Sequence, residues 1–247
     1  MGTRDGIGIN LLADITALHS YAESSRQIAN SLLAAHIPFV INDYPSTPHS
    51  VLRKAMYRLV FHSRNDTSFG HFVSLVSPHP INLVRLPPDV SRRFYASRPE
   101  YFLEKKSVAI WAWNFPEFSA ELAACFRPYN EIWAVSRFVR DALVKSSPVP
   151  VQTLTPPLAI DLSSLDAAYV RKRFGLNGKS CVFLFTFVSH TGGGFERKNP
   201  FAVIEAFRGA FTRGEDAVLV IKTTPPYPLA FAKNLKSYVR GFRNIAG

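Results

Sequence analysis

The sequence predicts an α/β chain: a complete parallel-sheet domain over residues 1–150 and roughly half of a second α/β domain over residues 151–247. Two observations predict it. Short apolar runs of strand character alternate with amphipathic helical stretches, the order that builds β-α-β units with right-handed crossovers. A proline-rich connector then interrupts the alternation, which restarts with CVFLFTF and has reached only two or three strands when the chain stops at NIAG.

The first domain reads element by element. GIGINLLADI is a short strand, apolar at Ile7, Ile9, Leu11 and Leu12. The polar turn TALHSY leads into the helix AESSRQIANSLLAAHI, with Ile28, Leu32 and Leu33 on its inward face. IPFVINDYP is a second strand, ended by Pro45. A third strand falls around Ile81–Leu86, a fourth over Ser107–Trp113 and a fifth over Glu131–Ser136. Helices are expected near Glu117–Phe126 and over RFVRDALVKS. The stretch SSPVPVQTLTPPLAIDLSS holds four prolines and reads as a linker with room for one more strand. In the second domain YVRKRFGL is a short helix closed by Gly175, CVFLFTF and Asp216–Thr223 are strands, and Pro228–Phe242 is a basic amphipathic helix.

The bulk properties narrow the function. No uncharged apolar run reaches the roughly 18 residues of a transmembrane helix. MGTRDGIGINLL carries neither a signal-peptide core nor a myristoylation pattern, because Gly6 stands where Ser or Thr is needed. Cys125 and Cys181 are far apart in apolar contexts, which predicts free buried thiols and a cytoplasmic protein. The net charge of +11 points to an anionic partner: nucleic acid, a phospholipid surface or a phosphorylated substrate. Basic residues cluster in RRFYASRPEYFLEKK (Arg92–Lys106) and in FAKNLKSYVRGFRN. Tyr95, Tyr101 and Phe102 interleave with the first cluster as on nucleic-acid surfaces, yet no nucleic-acid module accompanies them, so nucleic acid is not the expected partner. GIGIN is not a GxGxxG fingerprint, and the histidines show no metal-ligand spacing.

The stretch FERKNPFAVIEAF carries the strongest chemical signal. Asn199 suits an N-cap and Pro200 a first helical residue, so a helix starts here. Phe201, Ile204, Phe207 and Phe211 share one face of it. Arg197 and Lys198 stand before the positive end of the helix dipole, a placement unfavourable until an anion docks. The glycine-rich SHTGGG upstream would let a phosphate approach the backbone. A solvated basic loop is the competing reading.

Taken in order, EIWAVSRFVRDAL, FGL, CVFLFTF, FERKNPFAVIEAFRGAF and DAVLVIKT resemble family 4 glycosyltransferases of the GT-B fold, most closely bacterial members that build surface polysaccharides. IWAWNFPEF and the opening β-α-β unit fit the same pattern, so the resemblance covers nearly the whole chain. It implies a GT-B-like fold, with an N-terminal Rossmann-like acceptor domain and part of a nucleotide-sugar-binding domain. It implies sugar transfer, with retention and without a metal or cofactor, from a nucleotide-sugar donor to a lipid-linked or glycan acceptor. Lys198 matches the family's basic contact to the donor diphosphate, with Arg197 and the helix start at Asn199 beside it. Ser189 falls where relatives place a second diphosphate group, and Lys222 and Thr223 fall near the nucleotide. Candidate catalytic residues are His19, Asn114 and Glu117, and the basic segment suits peripheral contact with an anionic inner-membrane surface. Three departures stand out. TALHSY lacks the family's glycine-rich turn, Asn114 replaces an acidic residue, and the family's paired-glutamate segment would lie beyond Gly247. The implied alternatives are therefore a truncated enzyme and a non-catalytic remnant that binds an anionic acceptor or membrane.

Overall fold

The computed structural model describes residues 7–17, 20–44, 66–159, 166–176, 178, 180–187, 198–212 and 214–223. The chain divides into two units, Met1–Ile160 and Asp161–Gly247.

The first unit is built on six strands: β1 (Ile9–Ala13), β2 (Phe39–Asp43), β3 (Ile81–Arg85), β4 (Lys106–Trp111), β5 (Glu131–Ala134) and β6 (Val151–Thr153). Their order is β2-β1-β3-β4-β5-β6 and every pair is parallel. A parallel bridge from Ile41 to Val73 adds one more position outside β2. The chain winds outward from β1 in one direction and from β3 in the other, as in Rossmann-like sheets. The β1/β3 boundary is therefore the switch point, where such sheets open a crevice at their carboxyl ends. Because β6 pairs with β5, the start of the proline-rich stretch belongs to this sheet, and the first unit runs past residue 150.

Successive residues of the central strands feed two cores on opposite faces, as the pleat requires. Leu11, Leu83 and Ile110 pack with Ile28, Leu32 and Ile41 on one face. Leu12, Val84 and Trp111 pack with Phe94, Phe126 and Tyr129 on the other. Helix α1 (Ser20–Ala34) covers the first face through Ala22, Ser25, Ile28, Ala29 and Leu32. Leu33, expected inward, is 41% exposed. Leu32 holds the position four residues after Ile28, and Leu33 is turned away by roughly 100°.

Helix α2 (Pro88–Ser97) covers the second face. The sequence predicts no helix here; Pro87 is the N-cap and Pro88 the first helical residue, with Asp89 in the first turn. The expected α-helix near Glu117–Phe126 is a 3-10 helix over Ala120–Phe126 that buries Cys125 and Phe126. Helix α3 (Arg137–Val144) starts at Ser136, whose Oγ accepts from Val139 N at 3.2 Å.

A polar row crosses the buried middle of the sheet. Asn10, Asn82 and Ser107 are register partners on β1, β3 and β4. Asn10 Nδ2 donates to Asn82 Oδ1 (2.9 Å) and to His79 O (2.8 Å), while its Oδ1 accepts from His79 N (3.0 Å). Asn82 Nδ2 donates to Ser107 Oγ (3.1 Å) and Tyr101 O (3.1 Å). Asn130 extends the row by accepting from Ser107 N at 2.8 Å. Gly8 lets this row form: a Cβ there would run into the His79 ring.

The second unit contains α4 (Ala167–Arg173), β7 (Cys181–Phe187), α5 (Pro200–Ala210) and β8 (Ala217–Thr223) among the described residues, with β7 and β8 parallel. Asp166 caps α4 by accepting from Ala168 N (2.8 Å) and Tyr169 N (3.2 Å). Gly175, at φ 64°, closes α4 as expected, donating to Lys172 O while Leu176 N returns to Arg171 O. On α5, Ile204 is buried, and Phe207 and Phe211 meet Phe183 of β7 at 5.7 and 5.2 Å between ring centroids. Pro45 and the helix expected at Pro228–Phe242 lie outside the described residues.

Replacing Asn82 by Leu removes the buried bonds to Ser107 and Asn10 and the part-buried bond to Tyr101 O. The expected loss of stability is about 2–4 kcal/mol, read as a lower urea midpoint, whereas Asn30→Ala on the exposed face of α1 should stay within about 0.5 kcal/mol of wild type.

Candidate functional site

Parallel strands bring all carboxyl ends of the first sheet to one rim, formed by the segments after β1, β3, β4 and β5. The turn after β1 is held from inside. Buried Arg26 donates from Nη1 to Ile15 O (2.8 Å) and Ala17 O (2.9 Å). Its Nε and Nη2 donate to Glu23 Oε2 (3.0 and 2.8 Å), and Asp66 Oδ2 lies 3.2 Å from Nε. Asp43 accepts from Ile15 N (2.9 Å) and Asp14 from Ala17 N (3.3 Å). Side chains thus satisfy backbone groups of Ile15 and Ala17 at the start of the turn. Hydrogen bonds from Gln27 and then Arg26 hold the Glu23 carboxyl below the usual range. Bonds from the Ser68 hydroxyl and N–H do the same for Asp66.

Arg85, at the end of β3, is a second buried arginine on this rim, only 5% exposed. Its Nε donates to Ser24 Oγ (2.9 Å) and its Nη1 to Ile110 O (3.1 Å), and its Cζ stands 3.8 Å from the Tyr21 ring centroid. No carboxylate pairs with it among the described residues. Arg85 lines a cavity of about 100 Å³ with Ser24, Ile28, Ile110, Val135 and Leu154. Sequence reasoning passed over both arginines; in Arg85's case the available signal was a lone charge inside the apolar run INLVRL.

The loop after β4 carries Asn114 and Glu117 together on the rim, both exposed. Trp113 Nε1 donates to Glu117 O (2.8 Å), and Trp113 packs on Phe115 and Phe118 at 5.6 and 4.9 Å. Aromatic packing thus shapes the loop and leaves its polar side chains to solvent. His19 lies outside the described residues.

The basic segment Arg92–Lys106 is not a continuous stripe. Arg93 pairs with Asp89 at 3.0 Å, and Lys105 Nζ donates to Ser77 O at 2.6 Å, burial lowering its pKa. Arg92, Arg98 and Lys106 are exposed beside Glu100 and Glu104. Phe102 is buried against Phe94, Tyr95, Tyr101 and Tyr129, so the interleaved aromatics are core and not a stacking platform.

In the second unit, β7 and β8 end side by side, with Thr186 opposite Lys222 and Phe187 opposite Thr223. Lys222 is exposed. Asn199 takes the left-handed conformation (φ 46°, ψ 57°) and its Oδ1 accepts from Ala202 N at 3.3 Å, with Pro200 the first residue of α5. Exposed Lys198 immediately precedes this cap. Ser189 and Arg197 lie outside the described residues. Lys198 and Asn199 thus open α5, and Lys222 and Thr223 close β8. Asn114 and Glu117 belong to the first unit.

Among the described residues no group of three or more His, Cys, Asp or Glu side chains could hold a metal ion. No helix among them is long and apolar enough to cross a membrane. Both cysteines are free; Cys125 is buried, which pushes its thiol up to about 11, whereas Cys181, expected buried, is exposed.

No family model matches the chain, and no curated protein does. One solved structure that matches is described as "alpha-glucosyltransferase in complex with UDP and a 13-mer DNA containing a HMU base", at 12% identity and a TM-score of 0.49. The match covers 98% of this chain, which spans 65% of that one.

Arg26→Met would strand the carbonyls of Ile15 and Ala17 and the carboxylates of Glu23 and Asp66. Both carboxylates reach solvent (Glu23 is 53% and Asp66 30% exposed), so the cost falls mainly on the stranded carbonyls: about 1–3 kcal/mol, read as a lower melting temperature. Because Glu23 and Asp66 have depressed folded pKa values, the stability they contribute is present at neutral pH and is lost as pH falls through those values. Thermal scans from about pH 6 down to about pH 2 should show a shallower decline for Glu23→Gln than for wild type.

Proposed function

We propose that the chain is a glycosyltransferase of GT-B type, similar to family 4 enzymes, that uses a nucleotide-sugar donor. The observation that carries this reading is the opening of α5: a lysine, a left-handed asparagine cap and a proline, following a parallel strand in a β-α-β unit. In this reading the donor diphosphate docks at the positive end of the α5 dipole, with the Lys198 ammonium beside it. As the bond from sugar to diphosphate breaks, negative charge grows on the leaving group, and those fixed positive groups stabilise it without a metal. Lys222 and Thr223, at the neighbouring strand end, lie near the nucleotide in this reading. The first unit takes the acceptor at its rim, where Asn114 and Glu117 project from the loop after β4. Transfer proceeds with retention, and the acceptor is lipid-linked or a polysaccharide. Peripheral contact with an anionic inner-membrane surface would rest on Arg92, Arg98 and Lys106.

The test is titration of a panel of nucleotide sugars into the full chain, with transfer assayed on lipid-linked, glycan and DNA acceptors. Lys198→Ala should weaken donor binding by about 10- to 100-fold, the value of one charge-assisted hydrogen bond. Arg92→Ala should leave it unchanged. If no nucleotide sugar binds, or if Lys198→Ala binds as wild type does, the reading fails. Binding without transfer to any acceptor would favour a non-catalytic anion-binding protein.

A further inference from the structure

We propose that the first unit holds its own oxyanion site, built on Arg85, which receives a phosphate group independently of the donor diphosphate. The argument starts from charge. A guanidinium this deeply buried carries a large desolvation cost, which proteins ordinarily meet with a carboxylate. Arg26, buried on α1, follows that rule with Glu23 and Asp66. Arg85 does not: its partners are a hydroxyl, a carbonyl and an aromatic face. These occupy two of its five N–H donors, and the fork geometry of the remainder suits two oxygens of one anion.

The surroundings favour an anion further. Ser24 and Tyr21 lie in the first turns of α1, so Arg85 faces the end of that helix where the dipole is positive. Two positive groups placed together away from bulk solvent are poorly balanced until an anion arrives. Arg85 covers the face of the Tyr21 ring, whose buried hydroxyl has no hydrogen-bond partner among the described residues and so remains an unspent donor. The adjoining cavity of about 100 Å³ is walled by Ile28, Ile110, Val135 and Leu154. One water needs roughly 10–15 Å³ on such a measure, so a group of several heavy atoms fits. The apolar walls lower the local dielectric and strengthen the contact between guanidinium and anion. The position, at the carboxyl end of β3 beside the switch point, is where open α/β sheets place ligands. Under the glycosyl-transfer reading, on which only this last step rests, the phosphate belongs to the acceptor.

The test uses the full chain and inorganic phosphate, followed by heteronuclear NMR. Phosphate should move the Arg85 side-chain signals and the Ser24 and Ile28 amides, and it should raise the melting temperature. The same shifts should persist in Lys198→Ala, which separates this site from the donor site. Arg85→Lys, which keeps the charge and loses the fork, should bind phosphate at least tenfold more weakly, and Tyr21→Phe several-fold more weakly. Acetate in place of phosphate should give the same shifts more weakly; acetate binding tighter than phosphate would assign the site to a carboxylate and overturn the phosphate assignment. Phosphate shifts confined to residues 198–200, or none at all, would overturn the site itself, because the wild-type chain is folded and needs no variant to report. Failure here with intact nucleotide-sugar binding would leave the donor reading standing, and the reverse result would leave Arg85 as an oxyanion site in a protein of another activity.

Discussion

The first unit depends on the hydrogen-bonded row that joins Asn10, Asn82 and Ser107 through the middle of an otherwise apolar sheet. In a parallel sheet covered on both faces, strands are apolar on both sides, and hydrophobic alternation alone specifies register weakly. The buried amides resolve that ambiguity. Slipping β3 by one residue would separate Asn82 from Asn10 and Ser107 and leave each without a partner in a dry environment. With the row in place, Ala13 and Arg85 end side by side and Trp111 aligns with Ala134. The rim that carries Arg85, Asn114 and Glu117 is therefore set by contacts at the other end of the strands.

The rim itself shows two ways of burying a cation. Arg26 is an internal brace, its donors spent on the carbonyls of Ile15 and Ala17 and on two carboxylates. Arg85 has the same burial and a different balance, with neutral partners and a cavity at its side. The distinction matters because a satisfied buried arginine contributes architecture, whereas one without a counter-charge retains attraction for an anion. The exposed cations of the second unit work in a third way. Lys198 and Lys222 bear no desolvation cost, and their effect on a ligand depends on the helix start and the strand ends that place them.

Strands and helices were largely legible in the residues because their signals are local. Apolar runs marked β1 to β5, Asn199-Pro200 marked the start of α5, and Gly175 marked the end of α4. The losses have a common cause. Pro87-Pro88 can end a strand or open a helix, and only packing of Phe94 on the sheet selects the helix α2. Leu32 and Leu33 offer equal hydrophobicity, and the angle of α1 on the sheet decides which is buried. The basic stripe with its aromatics dissolved because Tyr101 and Phe102 are drawn into the core while Lys105 reaches a carbonyl far away in sequence.

By itself, then, the sequence determined an alternating α/β chain, its strands, the cap that opens α5 and the lysine before it, since each follows from neighbours within one turn or one strand. Tertiary structure alone decided the strand order, the register row, the extension of the first unit through β6 and the contrast between Arg26 and Arg85. Those depend on partners dozens of residues apart, such as Arg85 with Ser24 and Ile110 or Asn10 with Asn82, and no local pattern encodes which of them will meet. Whether a buried charge has a counter-charge is a property of the folded neighbourhood, because desolvation exists only once the chain has closed around it.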